Sequence, residues 1–109
     1  MKKILNGVRF DTEKAVKIGE YDNIGYGADS ITDFNFWEAS LYRTPRSGRY
    51  FLAGEGGALS RFGTAHGQNS WGGGADIVPL SRQEALEWAE QYLDAGIVEN
   101  EFADMIEDA

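Results

Sequence analysis

The sequence predicts an α+β fold in which an antiparallel β-sheet from residues 1–80 is packed by two acidic amphipathic helices from residues 81–109. Three observations predict it. Aromatic and β-branched residues alternate with polar ones before residue 80, turn signals separate these runs, and helical periodicity with capping residues follows. The chain has 109 residues, of which 42% are hydrophobic, so residues 1–109 are expected to form a single domain with one modest core.

Turn signals place the first strands. In KKILNGVRF, Asn6-Gly7 favours a two-residue type I′ turn and hence a β-hairpin, because both turn positions require positive φ. Residues 14–22 alternate as a further strand, although Asp11 would also suit the N-cap of a short helix here. Residues 23–33 are expected to form a polar, glycine-containing loop.

A long central hairpin gives the strongest strand signal. The first strand is predicted within DFNFWEASLYRT, where Trp37, Ala39 and Leu41 alternate with polar neighbours as if one face were buried. PRSG supplies the turn, and RYFLAGEGG supplies the returning strand. A glycine-rich loop at residues 54–74 follows, and the short apolar segment DIVPL closes it.

Two helices are predicted in the last quarter of the chain. In SRQEALEWAEQYLDAG, Ser81 and Glu84 form a capping box, and Gly96 is expected at the C-terminal cap. The tail IVENEFADMIEDA predicts a second, shorter helix. The apolar residues of each helix cluster on one face: Ala85, Leu86, Trp88, Ala89, Tyr92 and Leu93 in the first helix, and Val98, Phe102, Met105 and Ile106 in the second.

The net charge of −8 comes from the same quarter. Residues 83–109 contain nine acidic residues and no lysine or arginine, whereas residues 1–82 contain all ten bases. Such a segment repels nucleic acid and attracts basic surfaces. Its carboxylates recur at three- and four-residue steps, a spacing comparable with that of nucleic-acid phosphates. The simpler interpretation is an acidic solvent face that only maintains solubility.

The glycine-rich stretch lacks the residues of a catalytic or phosphate-binding loop. A phosphate-binding loop needs a lysine and a serine or threonine after its glycines, and GEGGALSRFG has no lysine. His66, the only histidine, would be a general base for Ser60, Thr64 or Ser70, but no motif places a serine beside it. Without cysteine or calcium-loop spacing, we expect no metal, no cofactor and no enzymatic activity.

The chain carries no signal for export or membrane insertion. No apolar run approaches the ~20 residues that span a bilayer. Only two apolar positions follow the N-terminal lysines, too few for a secretory signal. Together with the absence of cysteine, these features predict a cytoplasmic protein.

Several stretches carry a resemblance that runs over most of the chain. NGVRFDT, LYRT, FLAGEGG, NSWGG and the IVPL–EALEWAEQYLD junction together resemble a group of small acidic proteins of phages and mobile elements, and small anti-CRISPR proteins. Anti-CRISPR proteins often block the basic DNA-binding surfaces of CRISPR effector complexes, some of them with acidic surfaces. The resemblance therefore implies a non-enzymatic inhibitor in an infected or element-carrying bacterial host.

The implied partner is a basic nucleic-acid-binding protein, in particular the effector complex of a type I CRISPR system, blocked by DNA mimicry or by steric hindrance. Tyr26 and Trp71 are expected as aromatic anchors, since tyrosine and tryptophan are common hot spots. An immunity-type or adaptor module that binds through the glycine-rich loop or a sheet edge is the alternative. No direct nucleic-acid or membrane binding is expected. The implied contact residues are Glu84, Glu87, Glu90, Asp94, Glu99, Glu101, Asp104, Glu107 and Asp108.

Overall fold

The computed structural model describes residues 1–57, 62, 64–65, 71–72 and 74–109, and it confirms the α+β class. In this part of the chain, β-strands come first and helices last. Their bounds are β1 (Lys2–Leu5), β2 (Val8–Asp11), β3 (Val16–Asp22), β4 (Trp37–Arg43), β5 (Tyr50–Gly56), β6 (Thr64–Ala65), β7 (Trp71–Gly72), β8 (Gly74–Leu80), α1 (Arg82–Tyr92) and α2 (Ala95–Glu101), followed by a 3-10 turn at Ala103–Met105.

The central element is a four-stranded antiparallel sheet with the strand order β3-β4-β5-β8. The predicted N-terminal hairpin, β1–β2, forms a two-stranded sheet of its own, and β6 pairs with β7 in another. The turn of the N-terminal hairpin has positive φ at both residues, 50° at Asn6 and 77° at Gly7, as its type requires. The strand predicted at residues 14–22 is confirmed for Val16–Asp22, whereas residues 14 and 15 belong to the preceding turn. Asp11 Oδ1 accepts from Glu13 N (3.0 Å) in this turn and does not cap a helix.

Each face of the central sheet contains a buried cluster, and different elements cover the two clusters. One face carries Leu41 and Leu52, which pack against α1 and α2. The opposite face carries Phe51 and Ile77, and Phe10 of the N-terminal hairpin packs on them. Because strand residues alternate between faces, each strand of the central hairpin contributes to both clusters.

The start of α1 is as predicted, but its end is not. Glu84 N donates to Ser81 Oγ (3.1 Å) and Ser81 N donates to Glu84 Oε1 (2.8 Å), which completes the capping box. The helix ends at Tyr92, with Leu93 as an extended C-cap (φ −110°, ψ 161°). The prediction of Gly96 as the cap was wrong, because Gly96 lies in the first turn of α2 without positive φ.

The position of Leu93 explains this early end. A Cβ atom at Gly19 of β3 would lie 2.8 Å from both terminal methyl groups of Leu93. The leucine side chain therefore fills the space that the glycine leaves on the sheet. Asp94 then serves as the N-cap of α2, so the two helices are separated by a two-residue turn instead of a glycine cap.

Two predicted strand boundaries also differ from the structure. β4 begins at Trp37, because Asp33 Oδ1 accepts from Asn35 N (2.8 Å) and holds residues 33–36 in a turn. The stretch at residues 54–74 is not a single loop: Gly54–Gly56 complete β5, and β6 and β7 lie within it. The aspartate turn and the strand glycines both override simple periodicity.

The C-terminal tail forms a shorter helix than its pattern suggests. α2 ends at Glu101, and Phe102 is the N-cap of the 3-10 turn. Val98 and Phe102 are buried in the core as predicted, whereas Ile106 is 42% exposed and does not join the cluster.

We expect Gly54→Ala and Gly96→Ala to change stability in opposite directions. A Cβ at Gly54 would lie 2.4 Å from Phe62 Cζ and 2.6 Å from the Glu38 carbonyl oxygen. Gly54→Ala should therefore lower the free energy of unfolding by about 1–3 kcal/mol. A Cβ at Gly96 meets nothing within 4 Å, so alanine in α2 should raise it by up to about 1 kcal/mol.

Urea unfolding of the two variants beside wild type measures both effects. A left-handed glycine cap at residue 96 would be destabilised by alanine. A Gly96→Ala protein that is less stable than wild type would therefore contradict the helical assignment of Gly96.

Candidate protein-binding surfaces

The outer side of α1 is an acidic face formed by Glu84, Glu87 and Glu90. All three side chains are exposed, whereas Ala85 and Ala89 on the other side are fully buried. With 3.6 residues per turn, the three glutamates cover an arc of about 120° and follow one another at about 4.5 Å along the axis. Among the described residues, none of the three forms an ion pair with a lysine or arginine. The acidic face of α1 therefore presents uncompensated charge to solvent.

Two carboxylates of the predicted set lie at helix N-termini. Glu84 accepts the backbone N–H of Ser81, and this bond lowers the pKa of its carboxyl below the ordinary range. Asp94 is the exposed N-cap residue of α2, and its side chain caps no backbone N–H there. Both positions favour negative charge because the N-terminal end of a helix is positive. Both side chains are exposed, although Glu84 also accepts the hydrogen bond of the capping box.

Glu101 does not face away from the protein, contrary to the sequence prediction. Its side chain is only 8% exposed and binds the Arg43 guanidinium of β4 through both carboxylate oxygens. Tyr50 Oη of β5 donates to Glu101 Oε2 (2.8 Å). Hydrogen bonding to Glu101 raises the pKa of Arg43. The pKa of Tyr50 is also raised, mainly by burial and in addition by its hydrogen bond to Glu101. Glu101 thus ties α2 to the central sheet and is withdrawn from any contact surface.

Asp104 is also engaged, although it is exposed. Arg82 Nη1 of α1 donates to Asp104 Oδ2 at 2.8 Å, and this bond lowers the pKa of Asp104 while it raises that of Arg82. The pair links the start of α1 to the 3-10 turn. Asp104 is therefore a partly neutralised member of the predicted set.

The other predicted contact residues have simpler positions. Glu99, Glu107 and Asp108 are exposed. Tyr26, one of the predicted aromatic anchors, is 82% exposed in the loop between β3 and β4. The backbone of Trp71 lies in β7, but its side chain and the whole of His66 fall outside the described residues.

A second acidic group, which the sequence patterns did not reveal, lies across the central sheet. Cross-strand pairing places Asp22 opposite Glu38 and Glu38 opposite Glu55, so that three carboxylates form a carboxylate row over β3, β4 and β5. The row is on the sheet face that also carries Phe51, and Met1 and Thr12 at the ends of the N-terminal hairpin line a cavity shared with its carboxylates. Hydrogen bonding to Glu55, burial and repulsion by the neighbouring acids raise the pKa of Glu38.

The signal for this row lies in the strand register. Glu38 and Glu55 are equally far in sequence from the turn of the central hairpin. A prediction of the strand register would therefore have placed them opposite each other. Like charges directly opposite one another are destabilising in a sheet. The row is therefore a feature that folding alone does not favour.

The fold and these surfaces define an acidic α+β protein with two groups of exposed carboxylates. No protein-family model, curated protein or solved structure matches the chain. Within the described residues, no three histidine, aspartate or glutamate side chains are grouped so as to hold a metal ion. In the same residues, no helix is long and apolar enough to cross a membrane.

We expect Glu101→Ala to destabilise the protein far more than Asp104→Ala. Each substitution removes a carboxylate bound to an arginine, but only Glu101 is buried. Loss of Glu101 leaves Tyr50 Oη and the Arg43 guanidinium without their acceptor, which should cost about 2 kcal/mol of unfolding free energy. Loss of the exposed Asp104 should cost less than about 1 kcal/mol. Equal losses in denaturant unfolding would contradict the structural role of Glu101.

We expect Glu38→Gln to stabilise the protein at pH 7 and to have no such effect in acid. The raised pKa of Glu38 means that the folded state binds its proton more tightly than the unfolded state. The favourable contribution of the protonated group is thus fully present below the ordinary value of 4.5 and is lost as the pH rises through the folded pKa. Glutamine at this position should add up to about 1 kcal/mol at pH 7.

Thermal or urea unfolding between pH 3 and 8 tests this behaviour, with Glu13→Gln as the control for loss of an exposed charge outside the row. The advantage of Glu38→Gln should appear only above pH ~4.5. An advantage that persists unchanged at pH 3, or that Glu13→Gln reproduces, would exclude repulsion within the row as its cause.

Proposed function

We propose that this protein is a non-enzymatic inhibitor that binds a basic surface of a nucleic-acid-handling protein and competes with nucleic acid there. The acidic face of α1 is the contact. One observation carries the proposal: Glu84, Glu87 and Glu90 are exposed on one side of α1, and no described cation is paired with them. A purely solubilising face would not need to exclude lysine and arginine throughout residues 83–109.

Electrostatics would act mainly on the encounter. A concentrated negative surface attracts a basic groove over a distance of about one Debye length and orients the two proteins before contact. The spacing of about 4.5 Å between successive glutamates along α1 is similar to the phosphate spacing along a nucleic acid. Lysine and arginine side chains placed to bind phosphates can therefore bind these carboxylates instead.

The finer proposal for the target rests on the resemblance to small anti-CRISPR proteins. It names the effector complex of a type I CRISPR system in a bacterial cytoplasm, with its target DNA displaced by mimicry or by steric hindrance. The revised contact set omits Glu101, which is buried in its ion pair. It keeps Asp94 and Glu99 in addition to the acidic face of α1, because both are exposed.

We expect the combined substitution Glu84→Gln, Glu87→Gln, Glu90→Gln and Asp94→Asn to weaken inhibition without unfolding the protein. Glutamine maintains the capping box, and asparagine is a good N-cap residue, so α1 and α2 should persist. In a fluorescence anisotropy assay, a type I effector complex should keep binding its target DNA in the presence of the variant, at concentrations at which the wild-type protein prevents that binding. Its association with the complex should be at least about 10-fold slower at low salt.

The matched control removes the same number of charges outside both acidic surfaces, with Asp11→Asn, Glu13→Gln, Glu20→Gln and Asp76→Asn. If the two variants lose inhibition equally, total charge and not the acidic face of α1 is responsible. We call the protein with the four substitutions at residues 84, 87, 90 and 94 the α1 variant. If the α1 variant inhibits as well as wild type, the proposal fails. Inhibition by wild type should also weaken steeply with added salt.

The alternative function, an immunity-type or adaptor module, has one observation in its favour. β3 and β8 are the edge strands of the central sheet, each with a single neighbouring strand there, and such an edge can pair with a strand of a partner. A protein of this class would bind a partner that has no nucleic-acid function, and the α1 variant would bind that partner as well as wild type does.

A further inference from the structure

The connection between β3 and β4 is a compact loop with closed ends, which we call the Ω-loop (Asn23–Phe36). Asn23 is buried and closes it: its Nδ2 donates to Asn35 O (2.9 Å), and its Oδ1 accepts from Trp37 N (2.8 Å). Ala28 and Phe36 are buried beneath it. Gly57 N donates to Phe36 O at 2.7 Å, so the loop is also joined to the end of β5.

The outer side of the Ω-loop carries large apolar side chains. Tyr26, Ile31 and Phe34 are 82%, 70% and 67% exposed, and Ile24 is partly exposed as well. Scattered apolar residues are common on protein surfaces, but several on one ordered loop indicate an interaction site. Their exposure is not needed for the fold, because the buried residues of the loop already anchor it.

The surroundings of the Ω-loop are acidic. Residues 20–38 contain five acidic residues and no lysine or arginine. A groove of about 720 Å³ joins the loop to the carboxylate row, and its lining includes Ile31 and Phe36 of the loop as well as Glu38 and Glu55 of the row. An apolar side chain and a cation can therefore be accommodated next to each other on this surface.

We propose that the Ω-loop and the adjoining carboxylate row form a second docking surface, which binds a protein segment in which apolar residues alternate with lysine or arginine. Charge complementarity selects this occupant. A second copy of the chain would bring Asp29 and Asp33 against the same residues of its partner. An anionic membrane or a nucleic acid would meet the same repulsion. A basic and apolar segment satisfies both halves of the surface.

The proposal does not depend on the function proposed for α1, and defined peptides test it separately. The probe is a fluorescently labelled peptide of alternating lysine and leucine, compared with peptides in which glutamate replaces lysine or serine replaces leucine. Anisotropy titration should show binding of the lysine–leucine peptide to the wild-type protein. Either replacement in the peptide should weaken it at least 10-fold, by about 1.4 kcal/mol.

The combined substitution Tyr26→Ser, Ile31→Ser and Phe34→Ser should weaken binding of the lysine–leucine peptide at least about 30-fold, as expected for loss of hot-spot residues. The control Ile4→Ser, Val16→Ser and Ile106→Ser removes three exposed apolar side chains elsewhere and should change the affinity less than about threefold. Circular dichroism verifies that the variants are folded. If the triple variant unfolds, the single variant Tyr26→Ser, at a highly exposed position, replaces it and should also weaken peptide binding.

The α1 variant of the previous section separates the two surfaces, since it should leave peptide binding within about threefold of wild type. The proposal is overturned if the lysine–leucine peptide does not bind, or if the Ω-loop triple variant binds it as well as wild type. Equal binding of the glutamate–leucine peptide would also overturn it. So would sedimentation that shows a dimer dependent on Tyr26, Ile31 and Phe34, or wild-type binding to anionic vesicles that the triple variant loses.

Discussion

The structure depends on one constraint: a four-stranded sheet must bury two apolar faces, and two coverings of unequal size do so. The helices α1 and α2 cover one face, where Leu41 and Leu52 are fully buried. The N-terminal hairpin covers part of the other face, where Phe10 packs on Phe51 and Ile77. Its strands have only four residues each, and Met1 and Thr12 at their ends line a cavity shared with the carboxylate row. The three carboxylates of the row are exposed, so this part of the face is polar.

The orientation of the acidic face of α1 has a separate cause. Ala85 and Ala89 are fully buried, and such small side chains let α1 approach the sheet closely. The contact of Glu101 with Arg43 and Tyr50 then fixes α2, and Arg82 with Asp104 fixes the turn that follows. Two arginines from outside residues 83–109 are therefore used for folding. The glutamates on α1 have no arginine partner among the described residues. The acidic residues of this segment are therefore of two kinds: Glu101 and Asp104 stabilise the fold, and the α1 glutamates face solvent.

Local signals were sufficient to predict the fold class and much of its detail. The type I′ turn at Asn6-Gly7 and the capping box at Ser81 are encoded by neighbouring residues, and both are present as predicted. The inward orientation of Glu101 could not be predicted in this way, because its partner Arg43 lies 58 residues earlier and is brought close only by the fold. Gly96 was misassigned for a related reason, since the end of α1 depends on packing against β3.

The candidate surfaces also differ in whether neighbouring residues or distant ones determine them. The acidic face of α1 was predicted, because a helix brings residues three apart in sequence together in space. The carboxylate row depends on the register of three strands, and the Ω-loop depends on the side chain of a buried asparagine, Asn23. Neither feature has a sequence period. The predicted strand over residues 33–36 shows the same limit, because a single aspartate turn ended the alternation.

The two acidic surfaces lie on opposite sides of the central sheet, and this restricts how partners can use them. α1 covers the face of Leu41, whereas the carboxylate row shares the face of Phe51. The central sheet and the body of α1 separate them. One flat basic surface cannot contact both, so the competition with nucleic acid that we propose would involve α1 alone. The Ω-loop, with its exposed aromatic side chains, then suits a contact that adds affinity and specificity rather than charge. A single partner that uses both surfaces must extend around the edge formed by β3.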